Sequence, residues 1–247
     1  MSTRVISVDL WGTIFNYNAE ISVSVRRREL VRLYAAERGM TDENRIDEAF
    51  FSATEHFKET YETKAITLTP RERLTYQLEL IGIEARGDGF DELVDNAQNA
   101  ILDNPPPLAP NIHDGLKILA ARFPLVLVSD TGFSPGKVVR RIFHDYGLAR
   151  FFADYSFSDE NGRSKPDPFA FMSVLERVGA APSEFVHIGD TEWSDIKGAR
   201  SIGGRACLYV GLDDKWLNGT EADFILHDWA DVPELLDQIE RSRSGVA

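Results

Sequence analysis

"VISVDLWGTIF", Val5–Phe15, is the stretch on which the reading of this chain turns. Val5–Val8 is short and apolar, the signature of a buried strand. The run ends in one carboxylate, Asp9, followed by Gly12 and Thr13. That placement suits a nucleophile at the mouth of a parallel sheet, because ligands of such sheets bind beyond the carboxyl ends of the strands. Two residues further on stands Trp11, where a second carboxylate would complete an acid–base pair.

Beyond this stretch the pattern turns helical, from about Ala19 to Asp103. "EISVSVRRRELVRLYAAERG" carries apolar residues at helical spacing and stops at Gly39. "TDENRIDEAFFSATEHFKETY" predicts a second helix with Thr41 as N-cap. In "TPRERLTYQLELIG", Thr69 caps, Pro70 takes the first helical position, Glu72 closes a capping box and Gly82 ends the helix. "DGFDELVDNAQNAILD" predicts a fourth helix, and Pro105–Pro107 reads as a stiff linker.

After the linker, helices alternate with apolar runs: "LVLVSDTG", "FFADYSF", "FVHIGDT", "RACLYVG" and "ADFIL". This alternation predicts an α/β fold, a doubly wound parallel sheet. The insertion of about ninety residues after the first strand exceeds any ordinary loop and reads as its own small α-helical domain. The expected division is a core of residues 1–16 and 105–247 and a helical insertion of 17–104. Hanging over the end of Asp9's strand, the insertion is a candidate lid. The last helix is expected from Val232 to about Arg241, with 241–247 as a frayed tail.

Composition narrows the function classes. Hydrophobic content of 43% and charged content of 27% are ordinary for a globular protein. The net charge of −13 argues against nucleic-acid partners, which require a basic face. No apolar stretch has the length of a membrane span, and the N-terminus lacks the pattern of a signal peptide. The lone cysteine, Cys207, excludes a disulfide framework and a cysteine zinc site, so the cytoplasm is the expected compartment. Composition leaves monomer and homodimer equally open.

Four polar clusters follow strand-like or turn segments: Asp9–Thr13, Ser129–Gly132, Ser164–Pro168 and Gly189–Asp195. The ends of parallel strands converge, so Asp9, Ser129, Lys165, Asp190 and Asp195 are expected to share one site. Gathered carboxylates need a cation, and hard oxygen ligands without clustered Cys or His point to Mg²⁺. A lysine beside them fits a phosphate, whose oxygens Ser129 and the backbone amides around Leu10, Trp11 and Asp130 can hold.

The clusters, in this order, resemble the motifs of the haloacid-dehalogenase-like (HAD) superfamily. "VDLWGTI" resembles its first motif, a strand ending in Asp-x-Asp-Gly-Thr. "VLVSDTG" resembles the second, "KPDPFAF" the third and "HIGDTEWSD" the fourth, with the insertion in the place of the family's helical cap of the first type (C1). The resemblance covers Met1 to about Asn16 and Pro110–Ala247. It implies a Mg²⁺-dependent phosphohydrolase acting on a small phosphorylated metabolite. Asp9 would be the nucleophile that forms an aspartyl-phosphate, and Thr13 would orient the motif. Ser129 would bind a phosphoryl oxygen, and Lys165 would neutralise Asp9 and the phosphate. Asp190 and Asp195 would ligate the metal together with Asp9 and the backbone carbonyl of Trp11. The departure is Trp11 itself, since the family's phosphatases carry there the aspartate that protonates the leaving group.

Other readings compete. The 2-haloacid dehalogenases of the superfamily carry an aromatic residue at the place of Trp11, but they work without metal, against which the acidic pair Asp190 and Asp195 speaks. A phosphate-binding protein of low activity would not need Asp9. A phosphonate hydrolase would need an imine-forming lysine in the insertion, where only Lys58 and Lys64 stand. His187 reads as a satisfied core histidine and Cys207 as inert. Arg26–Arg28 and Arg38 read as a solvated helix face from which one arginine can reach a substrate anion. His56, Lys58, Tyr61 and Lys64 carry no clear assignment.

Overall fold

Strand β1 (Val5–Val8) is buried along its whole length and forms the middle of the molecule. In the computed structural model, which describes residues 3–16 and 20–244, β1 leads towards helix α1 (Glu20–Ala36). The join expected between residues 16 and 17, the helical start at Ala19 and the final tail of 245–247 lie outside the described residues. Helices α2 (Glu43–Lys64), α3 (Pro70–Leu80) and α4 (Asp88–Asn99) complete the insertion. They share with α1 an apolar cluster of their own that includes Val31, Ile46, Leu74, Leu78, Phe90 and Leu93.

The capping box of α3 forms as expected from Thr69 and Glu72. The N-cap of α2 does not, because Asp42 takes the place expected for Thr41. The Asp42 carboxylate stands directly before the first helical residue and accepts the Arg45 N–H at 3.2 Å. Helix α2 runs on to Lys64 and closes with Ala65 in the left-handed region, φ +50°. The carbonyl of Ala65 then accepts the Ser164 N–H at 2.8 Å, which straps the end of α2 to the sheet portion.

The rest of the chain alternates: α5 (Ile112–Ala120), β2 (Leu125–Ser129), α6 (Gly136–Asp145), β3 (Phe152–Phe157), the single turn α7 (Ser158–Asn161), α8 (Pro168–Arg177), β4 (Phe185–Gly189), α9 (Lys197–Ser201), β5 (Arg205–Tyr209), β6 (Phe224–Leu226) and α10 (Val232–Ser244). The strands form one parallel sheet in the order β3-β2-β1-β4-β5-β6. Successive strand residues face opposite sides. Ile6, Val8, Leu125 and Leu127 join α5, α6 and α10 on one face, while Val5, Val126 and Val128 join α8 and α9 on the other. Helices on both faces make the fold α/β and doubly wound, as the alternation predicts. Helix α10 reaches Ser244, past the end expected near Arg241. No helix among the described residues is long and apolar enough to cross a membrane.

The chain order reverses between β1 and β4, which opens a crevice beyond their carboxyl ends. The loop after β1 turns sharply there. Gly12 adopts φ +79°, a conformation open to glycine, and its N–H donates to Phe15 O at 2.8 Å. The fully buried Trp229 fixes this loop from below through Nε1–H, which donates to Thr13 O at 3.1 Å. Trp229→Phe keeps an aromatic ring but leaves a buried carbonyl unsatisfied. It should lower unfolding free energy by about 1–3 kcal/mol, read from urea melts; an unchanged midpoint would show the bond to be dispensable.

Candidate active site

The register of β1 against β2 and β4 sets Val8 beside Leu127 and Ile188. The residues that follow, Asp9, Ser129 and Asp190, therefore emerge together at one end of the sheet. Asp9, Asp190 and the insertion's α2 border a cavity of about 360 Å³. Its floor includes Asp9, Lys165, Asp190 and Asp195, and its roof includes Arg27, Phe57, Tyr61 and Arg73 from the insertion.

Lys165 organises the floor. Its Nζ donates to Asp9 Oδ1 and, at 2.6 Å, to Asp195 Oδ1. All three side chains are buried. Asp195 Oδ1 also meets His187 Nε2 at 3.0 Å, and Oδ2 accepts the Thr191 N–H at 3.0 Å. His187 Nδ1 in turn bonds to Ser7 Oγ at 2.6 Å. The segment Glu192–Ile196 makes this possible by winding as one wide π turn, with Ile196 N–H reaching Thr191 O. Gly189 makes room, since a Cβ there would stand 2.8 Å from Asp195 Oδ1.

The electrostatics follow from this packing. Burial pushes the Asp9 carboxyl well up, Asp195 and Asp190 add to the push, and Lys165 opposes it. Burial likewise raises Asp190 to about 7, with Asp195 as a further cause. Asp195 goes the other way: burial acts upward, but Lys165 and His187 outweigh it and hold the carboxyl low. Burial acts to strip Lys165 of its proton, yet Asp195, Asp9 and Asp130 keep the ammonium charged well beyond its ordinary range. Burial lowers His187, so it stays neutral at pH 7. One ammonium thus faces three carboxylates, an arrangement short of positive charge.

The donor set fits a hard divalent cation. Asp9, Asp190 and Asp195 each offer an oxygen, and these atoms lie within 4.8 Å of one another. All are carboxylate oxygens, the ligand type of Mg²⁺. The backbone carbonyl of Trp11 belongs to the loop directly above Asp9, and the Trp11 side chain lines the cavity.

The remaining expected residues divide. Ser129 lies at the sheet end but is buried and outside the cavity lining, and its hydroxyl has no hydrogen-bond partner among the described residues. Asp130 lines the cavity, and its carboxylate accepts the O–H of Tyr61, another lining residue, at 2.8 Å. Leu10 points into the apolar core, so only its backbone can serve the site. Thr13 is fully buried away from the cavity lining, and its hydroxyl also has no partner among the described residues.

The roof corrects the expectation of a solvated face for Arg26–Arg28, because Arg27 is buried there. Arg27 donates through Nε to Ala97 O at 3.0 Å and through Nη2 to Ser134 Oγ at 3.1 Å. Its neighbours Arg26 and Arg28 instead pair with Glu29 and Asp47. Arg73 lies over the rings of Phe57 and Phe133, 4.1 and 4.0 Å from their centroids. Helical spacing puts Arg27 on the buried side of α1, but nothing in the sequence ties it to Arg73, 46 positions away. Tyr61 donates to Asp130 Oδ2 at 2.8 Å. Lys58 and Lys64 are exposed and do not line the cavity, which removes the lysines an imine mechanism would need. His56 stacks on Tyr76, ring centroids 4.3 Å apart.

Comparison with known proteins agrees with this geometry. The profile of a hydrolase family described as haloacid dehalogenase-like hydrolase matches residues 3–203. A phosphoglycolate phosphatase of Vibrio vulnificus strain YJ016 is 30% identical over 138 residues, 53% of this chain and 56% of that protein. The chain thus spans little more than half the length of that relative. A phosphoglycolate phosphatase of Escherichia coli K12 is 26% identical over 218 residues, 85% of this chain and 81% of that one. Among solved structures, a 2-haloacid dehalogenase of Pseudomonas syringae pv. tomato DC3000 superposes with a TM-score of 0.71 at 24% identity, covering 96% and 99% of the two chains. That likeness concerns the fold.

Asp190 links cation binding to pH. With its carboxyl raised to about 7, the cation-free site holds a proton below that pH, and a cation must displace it. Calorimetric titration with Mg²⁺ should give a dissociation constant that rises at least roughly tenfold per pH unit below about 7, since Asp9 is raised as well. A constant equal at pH 5.5 and 8 would mean that Asp190 does not take part.

Proposed function

The chain belongs to the haloacid dehalogenase-like hydrolases, and we propose that it is a Mg²⁺-dependent phosphohydrolase of a small phosphorylated metabolite. The observation that carries this reading is the gathering of Asp9, Asp190 and Asp195 around the ammonium of Lys165. The phosphoglycolate phosphatases among its relatives favour phosphoryl transfer over dehalogenation and make phosphoglycolate the first substrate to try. We read residues 17–104 as a cap of the first type over a core of 1–16 and 105–247, supported by the separate apolar cluster of α1–α4.

In this reading a carboxylate oxygen of Asp9 attacks phosphorus and displaces the leaving oxygen. Lys165 opposes the burial that raises the Asp9 carboxyl and neutralises the phosphoryl oxygens. Ser129 and the backbone N–H groups of Leu10, Trp11 and Asp130 hold those oxygens. Water then hydrolyses the aspartyl-phosphate. Asp9, Asp190, Asp195 and the Trp11 carbonyl would hold Mg²⁺, which supplies charge neutralisation to the phosphate. Asp195, fixed by Lys165, His187 and Thr191, keeps the ammonium aligned on Asp9. Thr13 acts at a distance, through the loop that carries Trp11.

Trp11 stands where the family's phosphatases keep an acid, and an indole can neither protonate a leaving group nor activate water. Its ring meets Phe15 edge-on at 5.6 Å and forms a wall of the cavity. An aromatic residue here also suits the dehalogenases, but the metal-type pair Asp190 and Asp195 favours phosphoryl transfer.

The first assay is Mg²⁺-dependent phosphate release from acetyl phosphate, p-nitrophenyl phosphate, phosphoglycolate and several sugar phosphates. Activity should vanish in Asp9→Asn; metal-independent chloride release from a 2-chloroacid, with no phosphate released, would replace the phosphatase reading by the dehalogenase one. The arginines of the roof suit a substrate with a second negative group. Arg73→Gln should then raise KM for phosphoglycolate about tenfold while leaving p-nitrophenyl phosphate nearly unchanged, the loss expected of one charge-assisted hydrogen bond. Equal effects on both substrates would show Arg73 to be structural.

A further inference from the structure

A proton source is missing from the mechanism as derived so far. Several titratable side chains line the cavity, and most are committed. Asp9 attacks, and Asp190 and Asp195 face the cation. Lys165 is held between Asp9 and Asp195 and does not release its proton. Arg27 and Arg73 are permanently charged. Burial and the neighbouring Asp130 push Tyr61 well above its ordinary range, so it is a donor of hydrogen bonds and a poor acid.

Asp130 remains. It follows Ser129 directly, at the end of β2, and keeps partial exposure towards the cavity. Its Oδ1 accepts the Lys165 N–H at 3.0 Å, which ties it to the residue that grips the nucleophile. Its Oδ2 accepts the Tyr61 O–H at 2.8 Å, from the last turn but one of α2 in the roof. Tyr61 is itself fixed, edge-on to Trp193 at 5.1 Å and stacked on Phe57 at 6.2 Å. The carboxyl therefore lies between the phosphate end of the cavity and the insertion, the side towards which a leaving group must point.

We propose that Asp130, held by Tyr61 and the Lys165 backbone, is the general acid and base of this site, in the role that Trp11 cannot fill. The proposal rests on the phosphohydrolase reading. As the Asp9 oxygen bonds to phosphorus, the bond from phosphorus to the leaving oxygen breaks, and that oxygen takes the proton of Asp130. Water then bonds to phosphorus and gives its proton to the Asp130 carboxylate, the Asp9–phosphorus bond breaks, and phosphate leaves. Asp9 and protonated Asp130 are restored. Burial supports the role by raising Asp130 to about 6, against the opposing pull of Lys165 and Tyr61 and with a small push from Asp195. A general acid works best with such a near-neutral value. Tyr61 belongs to the insertion and Asp130 to the sheet portion, so the acid is assembled only where the two portions meet.

The test compares Asp130→Asn with the wild type on an alkyl phosphate and on p-nitrophenyl phosphate, through kcat/KM. That ratio reports only the steps up to transfer of the phosphoryl group to Asp9, where the acid acts. The alkyl ester should lose roughly 10²–10⁴-fold, and p-nitrophenyl phosphate, whose leaving group needs no proton, less than about threefold. Asn keeps an acceptor for the Lys165 N–H, and retained p-nitrophenyl activity itself shows an assembled site. Adding Trp11→Asp to Asp130→Asn should restore at least part of the alkyl activity by returning an acid to the first motif. Equal losses on both esters, or none on either, would overturn the proposal. A wild-type measurement guards against a variant that does not fold. The ratio of kcat/KM for the alkyl ester over p-nitrophenyl phosphate should fall as pH rises above about 6, because the acid form is lost; a ratio independent of pH would also overturn it. If Asp9→Asn abolishes activity while Asp130→Asn changes nothing, the phosphatase reading stands and Asp130 falls alone. If the wild type releases no phosphate at all, both fall together.

Discussion

The contact between the Lys165 ammonium and the carboxylates of Asp9 and Asp195 is the constraint around which this molecule is arranged. Three buried carboxylates in one crevice repel each other, and each resists ionisation in a medium poorer than water at screening charge. One buried lysine cannot balance three, and the remaining deficit of positive charge suits a divalent cation. Asp195 shows how the imbalance is distributed. It collects Lys165, His187 and the Thr191 N–H and stays ionised, while Asp190, with a Thr191 hydroxyl at 3.2 Å, is left near pH 7. A cation is therefore expected to meet one ready ligand, Asp195, and two raised carboxyls, Asp9 and Asp190, whose protons it must displace.

The backbone is shaped to bring these groups together. Gly12 lets the chain turn away at once after Asp9, and Gly189 leaves the space that the Asp195 carboxyl fills. The wide turn over Glu192–Ile196 aims Asp195 back at Lys165. His187 and Ser7, paired across β4 and β1, form a buried polar link beneath Asp195. That link gives a structural histidine an electrostatic consequence: after Lys165, His187 helps to hold the Asp195 carboxyl low.

The helical insertion contributes a different kind of order. Its four helices close an apolar cluster of their own, while Val23, Ala100 and Ile101 join the core of the sheet portion. Its contacts across the cavity are polar and aromatic: Tyr61 on Asp130, Arg27 on Ser134, Arg27 and Arg73 on Phe133. Such contacts are directional and of modest strength, which suits a surface that must part to admit a substrate.

The sequence alone determined the alternating α/β pattern, the parallel sheet, the helical segment after β1 and the placing of Asp9, Lys165, Asp190 and Asp195 on one cavity, though not of Ser129. These follow from local signals: an apolar run of strand length, a capping box at Thr69, a polar residue at each strand end. Topology then leaves little freedom, because parallel strands can deliver their carboxyl ends to only one edge. Local signals erred where two neighbouring residues competed, as when Asp42 displaced Thr41 as the cap of α2. Only the tertiary structure decided which side chains meet across the cavity. Tyr61 and Asp130 are 69 positions apart, and no periodicity or spacing connects them. Arg27 was legible as helical but not as part of the roof, since its orientation depends on how α1 packs over the sheet. The physical reason is the same in each case. Secondary structure is set by neighbours a few residues away, whereas a site at the meeting of two packed portions is set by how their surfaces fit.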